Sequence, residues 1–63
     1  QLKPEECIVI EDTIVGIHAA KAAGTHIIAV ANSFAAVNLT DADLVVNNLS
    51  EINENIIALF GVL

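Results

Sequence analysis

The sequence has no tryptophan, tyrosine or methionine, a single cysteine, a single proline and only two cationic residues, Lys3 and Lys21. Each shortage excludes something. Cys7 alone cannot close an internal disulfide, and no cysteine–histidine cluster has the spacing of a zinc site. Such cysteine usage fits a reducing, cytoplasmic setting. Two lysines against eight acids leave a net charge of −6 and a pI near 4.3. With no basic patch and no aromatic–basic stripe, binding to nucleic acid through phosphate contacts is excluded as a function class. No apolar run approaches the ~20 residues of a membrane span. The first residues also lack the basic and apolar regions of a signal peptide.

What is present is apolar. Hydrophobic residues make up 56% of the 63 residues and charged residues 16%, against about 25% charged in ordinary domains. A chain this short forms at most one domain and buries only roughly 60% of the surface its unfolded form exposes. It should therefore be more polar than average, not less. The expectation is that other polypeptide covers part of its apolar surface. An opening at Gln1, without methionine, agrees with residues 1–63 being one part of a larger domain.

Periodicity predicts an α/β order. Lys3-Pro4-Glu5-Glu6 reads as a turn or short helical start. Cys7-Ile8-Val9-Ile10 is a continuous apolar run, as expected of a parallel strand buried on both faces. Thr13 is placed to cap a helix from Ile14 to Ala23, which Gly24 closes. Gly16, Ala20 and Ala23 fall on one side of it, with Ile17 and Ala19 flanking, and small residues at this spacing let a helix lie close on a sheet. Ile27 to Val30 is a second strand, and Leu44 to Val46 a third, broken by Asn47 and Asn48. Asn32 to Asp43 connects them, with a helical turn expected around Phe34 to Val37. Ser50 is placed to cap a last helix with an apolar stripe of Ile52, Ile56, Leu59 and Leu63, widened by Ile57 and Phe60. Three parallel strands with flanking helices would leave the first strand with an unpaired edge.

Glu11 and Asp12 end the first strand. In parallel α/β sheets, ligands gather at the carboxyl ends of strands, and adjacent carboxylates suit a hard cation such as Mg²⁺. Acids before a helix also simply favour its positive end, so the pair by itself has two readings.

The stretch Pro4 to Thr13, with Gly16-Ile17, Ala19 to Gly24 and Ile28-Ala29-Val30, resembles the C-terminal part of haloacid-dehalogenase (HAD)-superfamily phosphohydrolases. The nearest branch is the β-phosphoglucomutase and phosphoglycolate-phosphatase group. Ala42 to Val46 and Leu49 to Ile52 resemble the close of that pattern, so the likeness covers nearly the whole chain. It implies the C-terminal part of a doubly wound parallel sheet, the Rossmann-like HAD core. It also implies that Glu11 and Asp12 help hold Mg²⁺ beside a nucleophilic aspartate, with Thr13 supporting the pair by capping the helix. The substrate would be a small phosphorylated metabolite. The family's Asp-x-Asp nucleophile and general acid, its phosphate-binding Ser or Thr, its motif lysine and its cap domain are absent from these residues. The catalytic residues would thus lie in the missing N-terminal half of the fold, and the 63 residues alone should be inactive.

Other candidates are weaker. Asp41-Ala42-Asp43 has Asp-x-Asp spacing but precedes a strand, so it reads as a polar lead-in. Lys3 and Lys21 read as surface lysines, Cys7 as an inert apolar residue, and His18 and His26 as solvated. Asn32, Ser33, Asn47 and Asn48 could line the strand ends, although turn chemistry accounts for them equally. A Gly-x-Gly-x-x-Gly turn is missing, which argues against a dinucleotide-binding half. The alternative from another class is a non-catalytic α/β fragment or interaction module that docks by its open strand edge.

Overall fold

The computed structural model describes residues 3–31 and 38–61. Its strands are β1 (Ile8–Glu11), β2 (His26–Val30) and β3 (Leu44–Val46), and its α-helices are α1 (Ile14–Ala23) and α2 (Glu54–Ala58). Short 3₁₀ turns, Pro4–Glu6 and Leu49–Glu51, precede β1 and follow β3. The three strands form one parallel sheet in the order β1-β2-β3. The α/β reading of the sequence is therefore met, with helices flanking a parallel sheet. None of the described helices is long and apolar enough to cross a membrane.

β2 is the central strand. Ile27, Ile28, Ala29 and Val30 are all buried, because a strand covered on both faces needs apolar side chains at successive positions, not alternate ones. Its two faces carry separate cores. Ile27 and Ala29 pack with Ile17 and Ala20 of α1 and with Leu39. Ile28 and Val30 face the other way, with Val46, and are covered by Ile52, Ile56 and Phe60 from the last segment. The tilted ring of His26 meets Phe60 at 5.3 Å on that same side.

α1 begins and ends where its residues predict. Thr13 is extended and its Oγ1 accepts the Gly16 N–H at 3.0 Å. Gly24 closes the helix at φ 83°, a left-handed conformation that costs an L-residue roughly 1–2 kcal/mol. The sheet-facing residues of α1 are Ile17 and Ala20, however, while Ala23 is exposed. Of the expected side only Ala20 is buried, and the flanking Ile17 fills the contact, with Ile14 packed beside it.

The last segment also departs from expectation. Asn48 caps the 3₁₀ turn, accepting the Ser50 N–H at 3.0 Å, and Asn53 caps α2, accepting the Ile56 N–H at 3.1 Å. Ser50 is therefore not the helix cap. Asparagine side chains compete for backbone donors, so two of them five residues apart split one helix into a turn and a short helix. This rotates the stripe: Ile56 and Phe60 face the sheet, and Leu59 is 74% exposed. β1 starts one residue later than the apolar run, at Ile8, and takes in Glu11, while β2 starts one residue earlier than expected, at His26. The expected turn at Phe34 to Val37, and Leu63, lie outside the described residues.

Asp43 sets the register of β3. Its Oδ2 accepts the Ile27 N–H at 2.8 Å, and its own N–H donates to the Ile27 carbonyl at 3.0 Å. The side chain thus continues the ladder one residue before β3 begins. This is a structural use of the Asp41-Ala42-Asp43 segment, as expected of a strand lead-in. Asp43→Ala should lower stability by about 1.5–3 kcal/mol, the worth of a hydrogen bond to a charged group. Urea denaturation checks this, and an unchanged midpoint would mean the register is held elsewhere.

Candidate functional site

Glu11 is the last residue of β1 and Asp12 follows directly. Side chains alternate along a strand. Val9 packs on the α1 side, so Glu11 shares that side, while Ile8 and Ile10 take the opposite one. Glu11 lies opposite Ala29 of β2, and its carboxylate reaches over the first turn of α1. There it occupies the space in front of Gly16: a Cβ on Gly16 would overlap the Glu11 carboxyl group, whose Oε2 would lie 3.0 Å away.

Glu11 and Asp12 border an open cleft of about 200 Å³, walled by Ile10, Val30 and Leu49. Ile10 is 46% and Leu49 62% exposed, so the wall of this cleft is apolar and wet. The positive end of α1 stands behind the acidic pair. Thr13 occupies the N-cap, where such a residue is worth about 1 kcal/mol, and its carbonyl accepts the Ile17 N–H at 3.1 Å. The helix end offsets part of the repulsion between adjacent carboxylates.

Among the described residues, neither carboxylate has an ion-pair partner or a hydrogen-bond donor; the salt bridges lie elsewhere. No third His, Cys, Asp or Glu of the described residues joins them in a metal-holding cluster. This donor set still fits Mg²⁺, which keeps several waters and takes only one or two protein carboxylates in phosphate-handling sites. The seat in front of Gly16 also leaves the Glu11 oxygens uncovered by any side chain at that position.

The remaining candidates are not brought to this site. His18 and Lys21 project from α1 toward Asp41, at 3.2 and 3.9 Å. Both pairs are well exposed, and such pairs contribute little. Cys7 is half-buried and its thiol donates to the Lys3 carbonyl at 3.5 Å. Lys3 is exposed, and His26 opens β2 against Phe60. Asn47 and Asn48 donate their backbone N–H groups to Glu51 Oε2 at 2.8 and 2.9 Å, which is turn chemistry. Asn32 and Ser33 lie outside the described residues. Sequence reasoning missed two features: Gly16 as the seat of the Glu11 carboxylate, and Ile10 and Leu49 as cleft walls. The sequence signal for the first is the glycine itself, five residues beyond the glutamate and inside a helix.

The chain is 48% identical over 50 residues to a bifunctional riboflavin kinase/FMN phosphatase of Arabidopsis thaliana, covering 78% of this chain and 13% of that protein. It is 41% identical over 51 residues to hexitol phosphatase A of Escherichia coli (strain K12), covering 81% of this chain and 24% of that protein. Both matches support the haloacid dehalogenase superfamily. The chain thus spans a quarter or less of the length of either relative. No family model and no solved structure matches it. The superfamily likeness agrees with a strand, acidic pair and capped helix at the carboxyl end of a parallel sheet.

Proposed function

We propose that the chain is the C-terminal part of the core domain of a Mg²⁺-dependent phosphohydrolase or phosphomutase. Its nearest kin would be the β-phosphoglucomutase and phosphoglycolate-phosphatase group. The observation that carries this is the acidic pair: two adjacent carboxylates without protein partners among the described residues, at the end of β1 and the start of α1, open to a cleft. The two relatives are both named phosphatases, which supports a phosphate ester of a small metabolite as substrate.

Glu11 and Asp12 would hold Mg²⁺, which when bound neutralises phosphate charge that would otherwise repel an attacking carboxylate. The residues of this chain then have fixed tasks. Glu11 supplies hard oxygen donors from a strand end, a more rigid mount than a loop, and Asp12 does so from the next residue, in the bend before α1. Thr13 fixes the start of α1 and so the direction in which the pair points. The attacking aspartate, which would form the phospho-aspartyl intermediate, and the general acid belong to polypeptide outside these residues and pack beside β1. That placement also gives the free edge of β1 a partner.

The test is hydrolysis of a panel of sugar phosphates, phosphoglycolate and FMN by the full-length protein, with and without chelator. Turnover that needs Mg²⁺ supports the reading; turnover that survives chelation removes it. The second reading, a module that docks by the open edge of β1, is favoured by the exposed Ile10 on that strand. It predicts partner binding that is indifferent to Glu11 and Asp12.

A further inference from the structure

Gly16 has no backbone reason to be glycine. It sits in the third position of α1, and the positive-φ glycines of the described residues are Gly24 and Gly61, not Gly16. Glycine is the poorest helix former after proline, so its presence there works against α1. Packing on the sheet does not require it either, because Ile17 and Ala20 occupy that face. A Cβ at this position would meet Oε1, Cδ and Oε2 of Glu11 as its three nearest atoms. The missing side chain makes room for one group, the Glu11 carboxyl.

We propose that Gly16 is a positioning residue: its bare Cα lets the Glu11 carboxylate lie across the first turn of α1, in the orientation from which it would bind a divalent cation. This rests on the metal reading of Glu11 above. Even the smallest side chain would push the carboxylate aside. The displaced group is the far end of a flexible side chain, so it moves without unfolding the helix. The substitution Gly16→Ala thus has opposite effects on two observables. Helix propensity rises, while the cation loses a correctly placed ligand.

The experiment is calorimetric titration of Mg²⁺, with Mn²⁺ as a spectroscopic probe, into the full-length protein and three variants. These are Glu11→Gln, Gly16→Ala, and Gly16→Ala combined with Glu11→Asp. Thermal stability is measured on each. Gly16→Ala is expected to weaken cation binding by about 10–100-fold, the range seen when a ligand loses its orienting support, with a midpoint of unfolding equal to or above wild type. Shortening the acid by one methylene, in the double variant, should restore part of the affinity. Wild-type affinity in Gly16→Ala, alongside weakened binding in Glu11→Gln, overturns the role of Gly16 and leaves the metal reading standing. Unchanged binding in Glu11→Gln overturns both. A loss in Gly16→Ala that comes with a lower midpoint and is not restored by Glu11→Asp assigns Gly16 to the fold instead.

Discussion

On the proposed function, Asp12→Asn in the full-length protein is expected to reduce Mg²⁺-dependent phosphatase turnover strongly while leaving the fold intact. The substitution keeps the shape and removes the charge. Metal ions contribute several kcal/mol to stabilising phosphoryl-transfer charge, and each ~1.4 kcal/mol is tenfold in rate, so the loss should be about 10²- to 10³-fold. Stability should move little, for two opposing reasons. A negative charge leaves the N-terminal end of α1, which costs about 0.3–1 kcal/mol, but repulsion from Glu11 is relieved. Asp12 has no hydrogen bond or ion pair among the described residues that the change would break. Steady-state turnover against Mg²⁺ concentration is the measurement. If the loss is recovered by raising Mg²⁺, Asp12 acts in binding the cation; undiminished turnover at low Mg²⁺ would remove Asp12 from the site.

Ile28→Ala should have the largest effect on stability. Ile28 is fully buried at the centre of β2, where it packs with Val30 and Val46 under Ile52, Ile56 and Phe60. Truncating a buried isoleucine to alanine costs about 2–5 kcal/mol, since the cavity left behind closes only partly. At about 0.05–0.15 kcal/mol per residue, a 63-residue stretch has roughly 3–9 kcal/mol to lose. One substitution therefore consumes much of what holds this part of the sheet. Leu59→Ala is the control: the side chain is 74% exposed, and surface changes of this kind stay within about ±0.5 kcal/mol. Equal shifts in the urea midpoint for the two variants would refute the two-sided core.

The strands and α1 were legible because local chemistry and tertiary need agree there. The run at Ile27 to Val30 is apolar at every position and is covered on both faces. The equally apolar run at Cys7 to Ile10, expected to be buried on both faces, is only half-buried because β1 is an edge strand, with Ile10 46% exposed. Thr13 and Gly24 mark the ends of α1 by capping chemistry that acts within one turn of helix. The acidic pair was legible for the same reason, since its place follows from where β1 stops and α1 starts. The last segment was harder to read. Ser50, Asn48 and Asn53 are all competent caps, and choosing among them depends on which hydrophobic side chains the sheet can receive. Ile56 and Phe60 are received; Leu59 is not.

The sequence by itself determined the order of elements, the parallel sheet and the place of Glu11 and Asp12 between β1 and α1, because these depend on period, capping and the chemistry of single side chains. Only the tertiary structure decided how the carboxylates are seated. The alternation of β1 turns Glu11 toward α1, and the register with β2 brings it over the first turn. That contact joins residues on two different elements, where an absent side chain at Gly16 matters as much as the acid it accommodates. Periodicity reports which face a residue occupies; it does not report what stands opposite.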